Sequence, residues 1–386
     1  MKTEEVLFAL IASVIDERPI TNDLMEQLSP ECVSALFRLA KKHDLAHLLA
    51  AAIDRSNLAQ SEDLRTNCQN LQLNALYRYE QSQYTLECLS AFFAEKHVPF
   101  VPLKGAVIRP YYPEPWMRTS CDLDILVPEE RVEWLAEAME SELGYVRRDK
   151  TYHDISLQSP HGVHVELHFN IKENMDNIDM LLGKVWEYTV GDKASGLCEL
   201  TAEYLLFHHL AHMSYHFLHG GCGVRPILDW WILKRKLDYS ATKLKEMCTE
   251  TGISVFSEAI DDLASVWFDG AALSTRAARM TEFILFGGVY GNIENRITIQ
   301  RVGKNEAQGK AAYIFSRAWL PLRELRTSYP ILERRPYLLP IYQIKRWIAA
   351  LSSGRVKKSA SEIKVNNTIS AEQIENVADL LSELGL

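Results

Sequence analysis

Arg118-Thr119-Ser120-Cys121-Asp122-Leu123-Asp124-Ile125-Leu126-Val127 is the stretch whose reading decides the fold. From Asp122 the residues alternate as a β-strand does. Asp122 and Asp124 share one face, while Leu123, Ile125 and Val127 bury on the other. Two carboxylates side by side on a rigid strand repel each other unless a cation sits between them. Mg²⁺, a hard ion preferring oxygen ligands, is the natural one. A second segment strengthens a signal that is weak alone. In Val163-His164-Val165-Glu166-Leu167-His168-Phe169 the apolar residues take one face and His164, Glu166 and His168 the other. Lying beside the first strand, it delivers Glu166 as a third carboxylate, with His164 and His168 as outer partners. The competing reading is the solvated face of an antiparallel sheet.

Working outward, Val98-Pro99-Phe100-Val101-Pro102-Leu103 is a short extended run whose prolines disfavour helix. Lys104-Gly105 follows at the start of a helix-like segment. A glycine there lets the backbone approach a phosphate, the helix start supplies N–H groups, and Lys104 adds a charge. No G-x-x-x-x-G-K-[ST] occurs, so this is not a P-loop. A helix is expected from Glu129 to Leu143, ended by Gly144. Strands follow at Tyr145–Arg148, Asp154–Gln158 and Val163–Phe169, the last two joined by the turn Ser159-Pro160-His161-Gly162. This order predicts an α+β class with a small mixed sheet rather than a doubly wound one.

Helical regions flank that core. Four blocks are expected: a helical region at 1–96, the α+β core at 97–200, a helical domain at 201–356, and a flexible 357–386 ending in an amphipathic helix. The segment Ser61–Lys96 lacks Gly and Pro and reads as one long helix or two stacked ones, with Leu73, Tyr77, Tyr84, Cys88 and Phe92 on one stripe. Composition is that of an ordinary soluble protein, 47% hydrophobic and 24% charged over 386 residues. The net charge of −9 excludes a generally basic nucleic-acid coat protein, and no DNA partner is expected. No window is apolar enough for a membrane span, no signal peptide is visible at the first residues, and seven scattered cysteines lack a C-x-x-C. A cytoplasmic location is expected.

Taken together, Leu103-Lys104-Gly105, Tyr111 or Tyr112, the Arg118–Val127 strand and His164-Val165-Glu166-Leu167-His168 resemble the DNA polymerase β-like nucleotidyltransferase superfamily. The closer similarity is to a largely uncharacterised bacterial nucleotidyltransferase family, over about residues 30–350. The resemblance implies that Asp122, Asp124 and Glu166 hold Mg²⁺ (or Mn²⁺) and carry catalysis, and that Lys104, Gly105 and Arg118 bind the NTP, with ATP the expected one. It implies transfer of a nucleoside monophosphate, with release of pyrophosphate, to a hydroxyl or phosphate of a small molecule, glycan or peptide. Ala106 stands where the superfamily has a small hydroxyl residue. That departure supports an alternative, a catalytically silent member that binds nucleotide or a protein. A histidine-based metal hydrolase using His164, His168 and the aspartates is the third reading. Arg118 alternatively pins its loop through a salt bridge.

Three further features have no assigned chemistry. His208, His212 and His216 recur at helical spacing, with His209 and His219 nearby, but without H-E-x-x-H; buried or interface histidines are the expected explanation. Arg225 and Asp229, at i and i+4, are expected to pair on one helix. Between Arg301 and Lys358 lie thirteen Lys/Arg and three Asp/Glu, leaving −19 for the rest of the chain. Internal pairing is the simplest account of that stretch; docking of an acidic acceptor comes second, and peripheral membrane contact of 301–358 last.

Overall fold

The computed structural model describes residues 1–56, 58, 61–191, 196–289, 291–302, 319–322, 325–326, 329, 331–352, 365–366 and 368–386. Five strands form the central sheet: β1 (Val101–Pro102), β2 (Asp122–Leu126), β3 (Val146–Lys150), β4 (Asp154–Gln158) and β5 (His164–His168). Their order is β1-β2-β5-β4-β3. Only β2 and β5 run parallel, and the other neighbours are antiparallel, so the sheet is mixed and the class α+β. β1 is shorter than its extended run because Pro99 and Pro102 have no N–H to give a ladder. The β4–β5 hairpin closes as its turn residues predict, with Gly162 at φ +87° and its N–H donating to the Ser159 carbonyl at 3.0 Å.

Alternation sets the two faces. Leu123, Ile125, Ile155, Leu157, Val165 and Leu167 bury on one side against the helix Glu129–Leu143, which Gly144 ends at φ +71°. Asp122, Asp124, Asp154, Ser156, His164, Glu166 and His168 are left for the other side. There the sheet meets the helix Ala202–Leu218, and the helix Val224–Lys236 follows after the glycine-rich break.

The segment before β1 is a single helix, Glu62–Glu95. Its stripe packs only at its last member: Leu73, Tyr77, Tyr84 and Cys88 are exposed, while Phe92 is buried together with Cys68, Ala75, Ser82, Thr85, Leu89 and Phe93. Small side chains face inward in about the first six turns, and bulky ones take over at the C-terminal end, where Leu89, Phe92 and Phe93 enter the core behind the sheet. A second apolar core runs from Val6 in the helix Thr3–Ile15 to Leu384, joining the helices at both ends of the chain. The terminal amphipathic helix is Ala371–Glu383, capped by Ser370, with Ile374, Leu380 and Leu381 buried. Of the basic stretch, 303–318 and 353–364 lie outside the described residues, as do Tyr313, Arg317 and Arg323. The described part includes helices Ile331–Arg334 and Leu339–Ser352. No helix among the described residues is long and apolar enough to cross a membrane, and no disulfide joins two cysteines among them.

Candidate active site

β2 and β5 are in register as parallel neighbours, Asp122 opposite His164 and Asp124 opposite Glu166. Both pairs sit on the polar face, so the alternation of two separate segments converges on one place. Ligand atoms of Asp124, Glu166 and His168 lie within 4.8 Å of one another; Asp122 stands on the same face outside that cluster. His168 Nε2 is 2.9 Å from Asp124 Oδ1 and 3.4 Å from Glu166 Oε2. His164 Nε2 is 3.4 Å from Glu166 Oε1 and 3.3 Å from Ser156 Oγ.

Lys104 supplies the positive charge. Its backbone is held at φ +46°, ψ −117°, a region L-residues rarely adopt and one that costs about 1–3 kcal/mol. In that conformation its ammonium donates to Asp124 Oδ1 at 2.8 Å. Burial works against the charge on Lys104, but Asp124, Asp122 and Glu166 outweigh it and raise the ammonium above its usual range. Burial likewise disfavours ionised Asp124. Lys104 and His168 override that and hold the carboxyl well below the carboxylate range. Asp122 has less help: burial and the charge of Asp124 raise it, against a smaller opposing pull from Lys104. His168 is pushed down by burial, yet its bonds to Asp124 and Glu166 bring it above an ordinary histidine. The two aspartates are therefore electrostatically unequal, Asp124 neutralised and Asp122 short of positive charge.

Gly105 follows Lys104 with no room to spare. A Cβ there would lie 3.1 Å from Ser120 Cβ and 3.2 Å from Ser120 Oγ. Ser120 thus brings a hydroxyl beside the turn where the sequence has Ala106. That hydroxyl donates to the Asp122 carbonyl at 2.9 Å and accepts from Arg109.

Arg118 forms the pinning salt bridge. Its Nε lies 2.9 Å from both carboxylate oxygens of fully buried Asp229, which also accepts from Tyr112 Oη at 2.7 Å. Burial opposes the Arg118 charge, and Asp229 more than restores it. Arg225 does not pair with Asp229 four residues on. It reaches Asp44 Oδ2 at 2.8 Å and the Thr119 carbonyl at 3.0 Å, because Asp229 is already taken from the other side. His47 Nε2 lies 2.7 Å from the Met117 carbonyl, and Arg78 donates to the Ser120 carbonyl at 3.0 Å. The loop that leads into Asp122 is thus held largely by the N-terminal helices.

These groups surround a cavity of about 330 Å³. Lys104, Gly105, Arg118, Asp122, Asp124 and His168 line one side; His208, His209, His212 and His216 line the other, with Glu173 between. Glu166 belongs to the carboxylate cluster but does not line the cavity. The histidine helix is therefore the opposite wall of the site. His212 Nδ1 lies 2.6 Å from Glu173 Oε1, and His212 Nε2 lies 3.0 Å from His216 Nε2. Burial pushes His208 and His216 down to about 3 and His212 well below its usual value, so this wall is neutral. Glu173 carried no signal in the sequence, since it sits in an irregular segment after β5. His153 and Asp154, also beside the cluster, were half legible: Asp154-Ile155-Ser156-Leu157 alternates, and only its polar phase marks the face.

The site combines carboxylates gathered around buried Asp124, an ammonium held onto them, and a partly open cavity in front. A family model described as an uncharacterised nucleotidyltransferase matches residues 29–269, ending short of the 350 expected from the motifs. No curated protein and no solved structure matches the chain. The match contains β2, β5, the Lys104-Gly105 turn and the histidine wall together, and on it the chain belongs to the uncharacterised nucleotidyltransferase family.

Proposed function

We propose that the protein is a Mg²⁺- or Mn²⁺-dependent nucleotidyltransferase that moves a nucleoside monophosphate from an NTP, ATP first among candidates, to a hydroxyl or phosphate of a small molecule, glycan or peptide. The observation that carries this reading is the in-register pairing of Asp124 with Glu166 on parallel strands, beside Asp122, with both aspartates lining the cavity. The donors are carboxylate oxygens, the set a hard divalent cation prefers, and Asp122 lacks a counter-charge of its own. Asp122, Asp124 and Glu166 would hold the ion, which supplies charge neutralisation on the phosphoryl oxygens and the departing pyrophosphate.

The remaining roles fall to the chain's own groups. Lys104, released from Asp124 by a competing cation, would serve a phosphate as a point charge. Gly105 admits the backbone of the turn to close approach, and Arg118 contributes its field from behind the Asp229 pair. On the opposite wall, His212 has both ring nitrogens engaged, by Glu173 and His216, and burial pushes it well below its usual range, so Glu166 is the candidate to accept the proton of the acceptor hydroxyl.

One observation favours the catalytically silent alternative. The Lys104 ammonium sits on the Asp124 oxygen that a metal would need. Pyrophosphate release from each of the four NTPs, offered with a panel of hydroxyl- and phosphate-bearing small molecules, glycans and peptides and with Mg²⁺, Mn²⁺ or chelator, decides between the readings. Metal-dependent release that disappears in Asp122→Asn supports transfer. Saturable nucleotide binding without release under every metal condition supports the silent reading.

A further inference from the structure

We propose that His153, Asp154 and His168 form a second metal site, for a divalent transition metal of the zinc type, open to the same cavity as the carboxylate cluster. This does not rest on nucleotidyl transfer, and its test reads metal binding alone.

The backbone builds the site from rigid parts. Asp154 and His168 are register partners in the antiparallel β4–β5 ladder, so their side chains leave one face together. The ladder continues one step outward through the Phe169 N–H, which donates to the His153 carbonyl at 2.9 Å. A ring nitrogen from each histidine and a carboxylate oxygen of Asp154 all lie within 4.8 Å of one another. The two rings are stacked with offset, centroids 5.4 Å apart and 21° between planes.

A second, independent observation points into this cluster. His168 is buried, and its Nδ1 has no hydrogen-bond partner. Its Nε2 is engaged by Asp124 at 2.9 Å. In either proton state Nδ1 is an orphan, and a buried polar group without a partner costs about 1–3 kcal/mol. A metal ion on Nδ1 removes that cost. It also turns Asp124–His168 into the arrangement that ligating histidines almost always show, with the far ring nitrogen donating to a carboxylate. Asp154 is backed in the same way, since Thr151 Oγ1 donates to its Oδ2 at 2.7 Å.

The ligand chemistry selects the ion. Two imidazoles and one carboxylate suit zinc and its neighbours, whereas Mg²⁺ asks for oxygen. Three protein ligands leave a fourth position, and His153 and His168 both line the cavity, so that position faces it. Ligands at about 2.1 Å from a tetrahedral ion stand about 3.4 Å apart. His153, whose side chain is 29% exposed, is the member able to swing inward, giving up its present 2.9 Å contact with Asp154 Oδ2. The helix pair His212–His216 offers only two imidazoles, and each already has a partner.

Full-length protein stripped with chelator is titrated with Co²⁺, followed by visible absorption, and then with Zn²⁺ in competition. One Co²⁺ per chain is expected, with the intense bands of a four- or five-coordinate ion, displaced by Zn²⁺. His153→Ala should weaken binding by more than about 100-fold, beyond the loss of an outer partner. Asp122→Asn and His212→Ala should retain it. His153 carries the test because truncating buried His168 risks the fold, and metal-free His153→Ala should melt as wild type does. Should His153→Ala fail that melting control, Asp154→Asn replaces it and is judged by the same affinity loss. Absence of saturable binding overturns the site. So does wild-type affinity in the folded ligand variant, or a loss confined to Asp122→Asn or His212→Ala.

Discussion

Lys104 Nζ and Asp124 Oδ1 are 2.8 Å apart, so the turn's ammonium already holds the carboxylate oxygen that His168 also contacts. Asp124 is 2% exposed, which makes this pair the local substitute for a divalent cation. Lys104→Ala leaves Asp124 buried with His168 as its remaining partner. A loss of about 1–3 kcal/mol is expected in metal-free buffer. Added Mg²⁺ should then raise the melting temperature of the variant more than that of wild type, because the competing ammonium is gone. Equal Mg²⁺ shifts in the two proteins would mean that the ion does not use Asp124.

The two aspartates should part company on amide substitution. Asp124→Asn strands the Lys104 ammonium next to a neutral amide, and breaking a buried pair from one side costs about 3–5 kcal/mol. Asp122→Asn removes a carboxylate that burial and Asp124 already disfavour, so stability should hold or rise by up to about 1 kcal/mol. Chemical denaturation of both variants without metal reads this directly. Matching losses would show that the asymmetry is wrong. Both substitutions should abolish NTP turnover.

Acid sensitivity should come from histidines more than from this cluster. Burial pushes His43 and His47 down to about 4 and His208 to about 3. Unfolded, they titrate near 6.5, so below that pH the unfolded chain binds protons the native one refuses. Each therefore subtracts up to about 1.4 kcal/mol per pH unit as pH falls from 6.5 toward its folded value. His168 has the opposite sign. Its folded value is raised, so its contribution is complete below 6.5 and is lost as pH climbs through that folded value. Urea unfolding from pH 4 to 8.5 should show His208→Gln flattening the acid limb and His168→Gln flattening the neutral-to-alkaline one. A reversal of those two assignments would be incompatible with the burial and partners described.

Asp229→Asn should be among the most damaging single substitutions outside the carboxylate cluster. Asp229 is fully buried, and its two oxygens hold Arg118 while one of them also accepts from Tyr112. Losing its charge leaves a guanidinium buried, at about 3–5 kcal/mol. Arg118→Lys should not behave conservatively, because one ammonium cannot replace both the Nε–H on Asp229 and the Nη1–H on the Thr119 carbonyl. A melting temperature near wild type in Arg118→Lys would contradict that geometry.

The sheet and the polar face were legible because alternation is local. Asp122-Leu123-Asp124 and His164-Val165-Glu166-Leu167-His168 each state which side they bury, whatever surrounds them. What was not legible depends on distance along the chain. Arg225 and Asp229 satisfy a helix-pair spacing, yet Asp44 and Arg118 compete for them from far away and are placed better. The stripe Leu73, Tyr77, Tyr84, Cys88 and Phe92 has helical period, but period alone does not say which face a neighbour approaches, and only Phe92 is buried. Lys104 was marked for phosphate by its turn. Its contact with Asp124 follows from a positive φ that no residue type announces.

The basic stretch from Arg301 to Lys358 supplies the last expectation. If its charge served to pair with the acidic remainder of the chain, its arginines should be sheltered against carboxylates. Arg334 and Arg335 are instead exposed at the end of the helix Ile331–Arg334, and Lys345 lies over the rings of Tyr329 and Tyr342, 5.7 and 5.6 Å from their centroids. Exposed charges in high dielectric contribute little to folding. Arg334→Glu combined with Arg335→Glu should therefore leave stability within about 0.5 kcal/mol of wild type. The pair reverses four units of charge on one surface, so an anionic acceptor steered there should bind more slowly, and the deficit should shrink as salt rises. Acceptor-independent NTP turnover should stay unchanged, because Arg334 and Arg335 do not line the cavity. A large fall in melting temperature would restore internal pairing as their role, and wild-type values for every quantity would remove both.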